Sequence, residues 1–111
     1  IRKDARASTH FEAPPVIITG ALYKLNVADT LSPDMSGDYT AAGILAEKPF
    51  YDRSDNLYFI WWNDDDTSWY ITPILGAAGA VGHFTKAAEP VTGNYVAVLP
   101  ATGTPIITDI S

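Results

Sequence analysis

Apolar and polar positions along this chain alternate in short runs, with a turn-rich interruption about every eight to twelve residues. Val16-Ile17-Ile18-Thr19 is a β-branched run with strand character, broken by Gly20. From Ala21 to Val27 one face carries Leu22, Lys24 and Asn26 and the other Tyr23, Leu25 and Val27, the alternation of a half-buried strand. Asp29 to Gly37 is rich in Asp, Ser, Pro and Gly and reads as a turn. Asp38 to Leu45 is the next strand, and Gly43 within it marks a bulge or a close backbone approach. Ala46-Glu47 make a tight turn into a strand from Pro49 to Tyr51, and Arg53 to Asn56 turn again. Leu57 to Asn63 is apolar on both faces, which places it centrally in a sheet. Asp64-Asp65-Asp66 is a hairpin tip, Trp69 to Thr72 the returning strand, and Pro73 its stop.

Three glycines between Ile74 and Gly82 cost too much backbone entropy for a helix, so this stretch reads as a loop. Val81 to Thr85, Asn94 to Leu99 and Ile106 to Ile110 complete the strands. The pattern predicts an all-β fold, a small antiparallel sandwich or a partly open barrel. Residues 1–15, which end in Ala13-Pro14-Pro15, show no period and read as an extended N-terminal arm; 16–111 form a single β domain. Ser36-Gly37-Asp38-Tyr39 is echoed by Thr92-Gly93-Asn94-Tyr95, a shared strand-entry device in which Gly permits positive φ and Tyr anchors in the core.

Composition sharpens this picture. All three tryptophans and five of the six tyrosines lie between Tyr39 and Tyr95, so rings build the core. The chain has no cysteine, which removes disulfides, thiolate metal sites and thiol nucleophiles. No apolar run is long enough to span a membrane as a helix, and no apolar signal core is visible at the N-terminus. The net charge of −6 argues against nucleic acid as a partner. Arg2, Lys3 and Arg6 against Asp4 make the first six residues positive, while the remainder carries four basic and twelve acidic residues. A basic arm on an acidic body suits docking onto a neighbouring copy; a solvated terminus is the plain alternative.

No catalytic signature is present. The histidines are His10 and His83, with no nucleophile elbow, zinc-protease motif or phosphate loop around them. We expect no enzyme activity, no cofactor and no metal. The triplet Asp64-Asp65-Asp66 has the oxygen chemistry of a calcium ligand set, but adjacent strand residues alternate in direction and no Asp-x-Asp-x-Asp-Gly loop supports them, so it reads as a solvated tip. The rings Tyr58, Trp61, Trp62, Trp69 and Tyr70 offer either a platform for stacking on sugars or contacts in a protein interface. Alternation puts Trp61 and Trp62 on opposite faces, with at least one of them joining Trp69 in the core. With Arg2, Lys3 and Arg6 these five are the candidate binding residues.

Gly37-x-Tyr39, Pro49-x-Tyr51, Ile60-Trp61-Trp62, Trp69-x-Ile71, Leu75-Gly76, Gly93-x-Tyr95 and Thr102-Gly103-Thr104 together form a familiar spacing. It resembles small aromatic- and Gly-patterned β modules of uncharacterised bacteriophage proteins and covers about Val16 to Asp109. The modules carry Gly and Asn in the second turn; Ala46-Glu47-Lys48 stand there instead, which makes a longer or different turn plausible. The resemblance implies a virion structural role: a head- or tail-associated decoration protein present in many copies, assembling through its arm and exposed aromatics on other virion proteins or on itself. A carbohydrate-binding module that uses an exposed aromatic face is the alternative expectation.

Overall fold

The computed structural model describes residues 22–28, 31–79 and 82–111. Among them nine strands form one antiparallel sheet: β1 (Lys24–Ala28), β2 (Gly37–Leu45), β3 (Lys48–Arg53), β4 (Phe59–Asn63), β5 (Ser68–Thr72), β6 (His83–Ala87), β7 (Gly93–Asn94), β8 (Val96–Val98) and β9 (Ile106–Asp109). From β1 to β6 each strand pairs with the next in sequence. β8 then pairs with β6, while β9 pairs with both β7 and β1. β7 and β8 are two halves of one run interrupted at Tyr95, whose N–H donates to the Pro105 carbonyl at 2.8 Å. The first half of the run bonds β9 and the second half bonds β6. This run therefore curls the sheet into a nearly closed barrel with meander connectivity, the barrel form of the expected fold rather than the sandwich.

Alternation decides what fills it. Leu25, Val27, Tyr39, Tyr51, Ile60, Trp62, Trp69, Ile71, Phe84, Tyr95 and Ile107 all point inward and form one buried cluster. A barrel of about eight strands has an interior just wide enough for side chains, and these rings occupy it. Each large apolar side chain so buried contributes roughly 1.5–3 kcal/mol.

The polar tips of the buried tyrosines close onto backbone carbonyls. Tyr39 Oη donates to the Met35 carbonyl and Tyr95 Oη to the Val91 carbonyl, both at 2.7 Å and both four residues upstream. Tyr51 Oη reaches the Leu22 carbonyl at 2.9 Å. The echo noted in the sequence is thus a repeated tyrosine corner. Gly37 and Gly93 enter their strands at φ +125° and +122°, where a side chain is strained.

Gly43 meets both readings made of it. The register shifts between Ala41 and Gly43, and the Phe50 ring lies so close that a β-carbon at 43 would stand 2.5 Å from it. Ala46 and Glu47 form a two-residue turn with φ +54° and +66° between the paired Leu45 and Lys48. The turn is therefore tight, not longer, despite the missing Gly and Asn. Leu57, expected at the start of a strand, lies outside β4 and is exposed. The expected strand at Val16 to Thr19 and the arm at 1–15 lie outside the described residues.

Up-and-down connectivity sorts the loops to two ends. The β1–β2, β3–β4, β5–β6 and β8–β9 connections share one end. Ser32 bridges Thr102 there, Arg53 Nη1 donates to the Asp34 and Ser36 carbonyls, and Gly82 lies against Pro100 and Ala101. The β2–β3 and β4–β5 turns and the β6–β7 connection lie at the other end, with Leu22 and Ser111. There Ser111 Oγ accepts from the Tyr23 and Lys24 N–H groups at 3.0 Å.

Candidate functional site

The register pairs Trp61 with Tyr70 and Trp62 with Trp69, so the four rings split between the two faces of the hairpin β4–β5. Trp62 and Trp69 go inward and meet edge to face, with centroids 5.4 Å apart. Their indole N–H groups emerge at the end of the barrel that carries the acidic turns. Trp62 Nε1 donates to Asp64 at 3.3 Å and Trp69 Nε1 to Glu89 at 3.2 Å. Lys48 pairs with Glu89 and sits 5.0 Å over the Trp62 ring, a cation–π contact that closes the plug. These two tryptophans seal the core, and no ring face is left for a ligand.

Trp61 and Tyr70 take the outer wall with His83. Trp61 stacks on Tyr70 and Tyr70 on His83, each pair at 5.2 Å, which makes a row of three rings across β4, β5 and β6. The row is not an open platform: Trp61 is 3%, Tyr70 9% and His83 6% exposed. Trp61 Nε1 donates to Thr72 Oγ1 at 2.8 Å, and the Thr72 hydroxyl in turn donates to the Ile74 carbonyl at 2.7 Å. Tyr70 Oη donates to Asp66, and this bond, followed by burial, raises the hydroxyl above its ordinary pKa. Tyr58 is half-buried and packs against the core, with the Arg53 guanidinium 4.5 Å from its ring. Trp69 and one member of the tryptophan pair, Trp62, join the core as alternation predicts, whereas the expectation of exposed aromatic contacts is corrected for Trp61 and Tyr70, which are buried on the outer wall. Arg2, Lys3 and Arg6 lie outside the described residues.

The acidic tip resolves the same way. Asp64 receives the Trp62 indole and Asp66 the Tyr70 hydroxyl, so the two carboxylates turn to opposite faces; residues 64–67 form the turn, where the strand alternation that would place 64 and 66 on one face no longer holds. Among the described residues no group of three or more His, Asp or Glu side chains stands close enough to hold a metal ion. On the wall, Asp52 accepts from Asn56 through Oδ2, while its Oδ1 is buried without a hydrogen-bond partner. At the loop end, Arg53 makes a forked contact to Asp55 with bonds of 2.9 and 2.7 Å, which lowers the Asp55 pKa.

What lies open is mostly aliphatic. Among the described residues the exposed large apolar side chains are Tyr23, Ile44, Leu57, Ile74, Val96, Leu99, Ile106 and Ile110. Sequence reasoning missed Leu57 and Leu99 as surface groups because apolar residues beside a turn look like strand ends. It also missed His83 as the third ring of the row and Lys48 and Glu89 as the plug, since neither position has a motif to announce it. No protein-family model, curated protein or solved structure matches this chain.

Proposed function

We propose that this chain is a non-enzymatic structural protein of a virion, a decoration or head- or tail-associated component that attaches through its N-terminal segment and its exposed apolar side chains. The observation that carries this reading is the filled barrel. Tyr39, Tyr51, Tyr95, Trp62, Trp69 and Phe84 occupy the interior, so any partner must be met on the outside. A meander closed through Gly93–Val98 presents few free strand edges, which suits a module that must stay apart from its copies except at chosen contacts. A cysteine-free body is also indifferent to the redox state of its surroundings.

The sugar-binding alternative draws less support, because stacking needs open ring faces and Trp61 and Tyr70 are buried. Immunogold labelling of particles from a culture producing the chain tests the first reading. Label on the particle, lost when residues 1–15 are deleted from an otherwise folded protein, is the expected result. Unlabelled particles together with specific hits on a glycan array would overturn it in favour of the second.

A further inference from the structure

The tyrosine hydroxyls differ in what receives their proton. Tyr39, Tyr51 and Tyr95 donate to backbone carbonyls, at Met35, Leu22 and Val91. A carbonyl accepts a hydrogen bond but is no base near neutral pH, whereas an ionised carboxylate is. Tyr70 donates to the carboxylate of Asp66. Asn63 and Thr85 also hydrogen-bond this hydroxyl, and neither can take its proton. The indoles divide in the opposite sense. Trp62 and Trp69 direct their N–H groups at Asp64 and Glu89, whereas Trp61 donates to the Thr72 hydroxyl. Trp61 and Tyr70 are the two that stack, with planes 21° apart, and His83 lies against Tyr70 from β6 with planes 29° apart. An indole without a base therefore adjoins a phenol that has one, and water reaches little of either ring.

We propose that Tyr70 is a redox-active tyrosine, the residue on which an electron hole formed at Trp61 comes to rest. The oxidant is any one-electron acceptor that takes an electron from Trp61, or from Trp61 excited by light. The indole radical cation then keeps its N–H proton, because the Thr72 hydroxyl it faces is not a base. Tyr70 returns one electron to Trp61. In the same step its O–H bond breaks and the proton forms a new O–H bond on Asp66. Trp61 is restored, and a neutral tyrosyl radical stands beside a neutral carboxylic acid. The proton donor and acceptor are already hydrogen-bonded, so no group has to move. The same hole on Tyr39 or Tyr95 would leave a radical cation with its proton still attached, a charge buried in the barrel without a partner. A small reductant completes the cycle by giving one electron to the tyrosyl radical while Asp66 returns the proton. Trp61 is thereby spared the irreversible ring damage that follows an indole radical left unquenched. The inference stands apart from the virion reading and does not depend on it.

Light that tryptophan absorbs and tyrosine does not makes the hole, with a cobalt(III) amine in solution as the electron acceptor, reduced to cobalt(II). Transient absorption and electron paramagnetic resonance of the full chain are expected to show a tryptophan radical cation giving way to a tyrosyl radical. Tyr70→Phe is expected to abolish the tyrosyl signal, to leave the tryptophan radical in its place and to hasten the loss of tryptophan fluorescence under steady light. Asp66→Asn keeps the shape of the side chain but not its basicity, and is expected to slow tyrosyl formation at least several-fold. Deuterated solvent is expected to slow the parent, because a proton moves in the step; a merely structural role for Asp66 would not produce that. Tyr23→Phe and Tyr58→Phe are expected to leave the signal unchanged. A tyrosyl signal of full size in Tyr70→Phe, a rate untouched by Asp66→Asn, or a parent that yields tryptophan radicals alone would overturn the inference. Near-UV circular dichroism reports whether each variant folds. If Tyr70→Phe does not, Asp66→Asn, at an exposed position of the hairpin tip, carries the test.

Discussion

The side chain of Lys86 lies across Gly93, so close that a β-carbon at position 93 would stand 3.0 Å from Lys86 Cε. Its Nζ then donates to the Pro90 carbonyl at 2.7 Å. Arg53 repeats the arrangement at Gly37: its Cδ would be 3.4 Å from a β-carbon there, and Nη1 donates to the Asp34 and Ser36 carbonyls at 2.9 and 3.0 Å. Each tyrosine corner is thus clamped from the neighbouring strand by a long cation whose methylenes cover the glycine.

Alanine at either glycine is expected to destabilise the fold by more than about 1 kcal/mol, because both hold positive φ. Gly93→Ala should cost more than Gly37→Ala, since its neighbour stands closer. Shortening Lys86 to Ala should recover part of the Gly93→Ala loss but none of the Gly37→Ala loss. Urea unfolding of the four proteins measures this; equal costs at the two glycines would refute the clamp.

Tyr39→Phe and Tyr95→Phe each remove the donor to a buried carbonyl, at Met35 and Val91 respectively. Leaving such an acceptor unpaired costs about 1–3 kcal/mol. Tyr51→Phe is expected to cost less, because its bond to Leu22 is only partly buried. Chemical denaturation gives the ranking, with the two corner variants well below the third.

The sequence disclosed the fold more fully than the site. Period-two alternation in Trp61-Trp62 and Trp69-Tyr70 located the hairpin and its two faces, since alternation is dictated by the backbone alone. Whether an outward ring is exposed depends on what lies above it, and no local pattern encodes that, so alternation separates Trp61 from Trp62 but does not reveal that Trp61 and Tyr70 are buried on the outer wall. The corner was half legible. Two copies share Gly and Tyr; Thr102-Gly103-Thr104-Pro105 repeats only the entry backbone, with Gly103 at φ +112° and a buried Pro105 in place of Tyr, and so makes no corner. The clamping cations Arg53 and Lys86 sit on neighbouring strands and have no sequence spacing to reveal them.

Burial pushes the Tyr51 hydroxyl up to about 12 and raises Tyr39 and Tyr95 as well. A folded-state pKa above the unfolded one contributes stability that is fully present below the unfolded value, near 10, and is lost as pH rises through the folded value. The protein is therefore expected to lose stability steadily above pH 10. Absorbance at 295 nm should show these tyrosines ionising together with unfolding rather than before it. Tyr51→Phe should flatten the alkaline slope; an unchanged slope would mean that Tyr51 ionises freely in the folded state.

Gly43 has an ordinary φ, so its constraint is steric: a β-carbon would meet the Phe50 ring at 2.5 and 2.8 Å. Gly43→Ala is expected to cost about 1–3 kcal/mol as the ring is forced aside. In a Phe50→Leu background, where the distal ring atoms are gone, the same substitution should be nearly neutral. The double-mutant cycle isolates the contact. A coupling energy near zero would show that the bulge itself, rather than the ring laid over it, demands glycine.

The two-residue turn at Ala46-Glu47 asks both residues for positive φ without giving either a side chain suited to it. Left-handed backbone costs an ordinary residue about 1–2 kcal/mol, less for Asn and nothing for Gly. Both positions are exposed, so nothing else is disturbed by replacing them. Ala46→Asn with Glu47→Gly is therefore expected to raise stability by about 1 kcal/mol or more and to leave the Leu45–Lys48 pairing intact. Thermal unfolding at constant pH measures the gain. A fall in midpoint would mean that Glu47 contributes a contact beyond its backbone, and Ala46→Asn alone would then identify which of the two residues carries it.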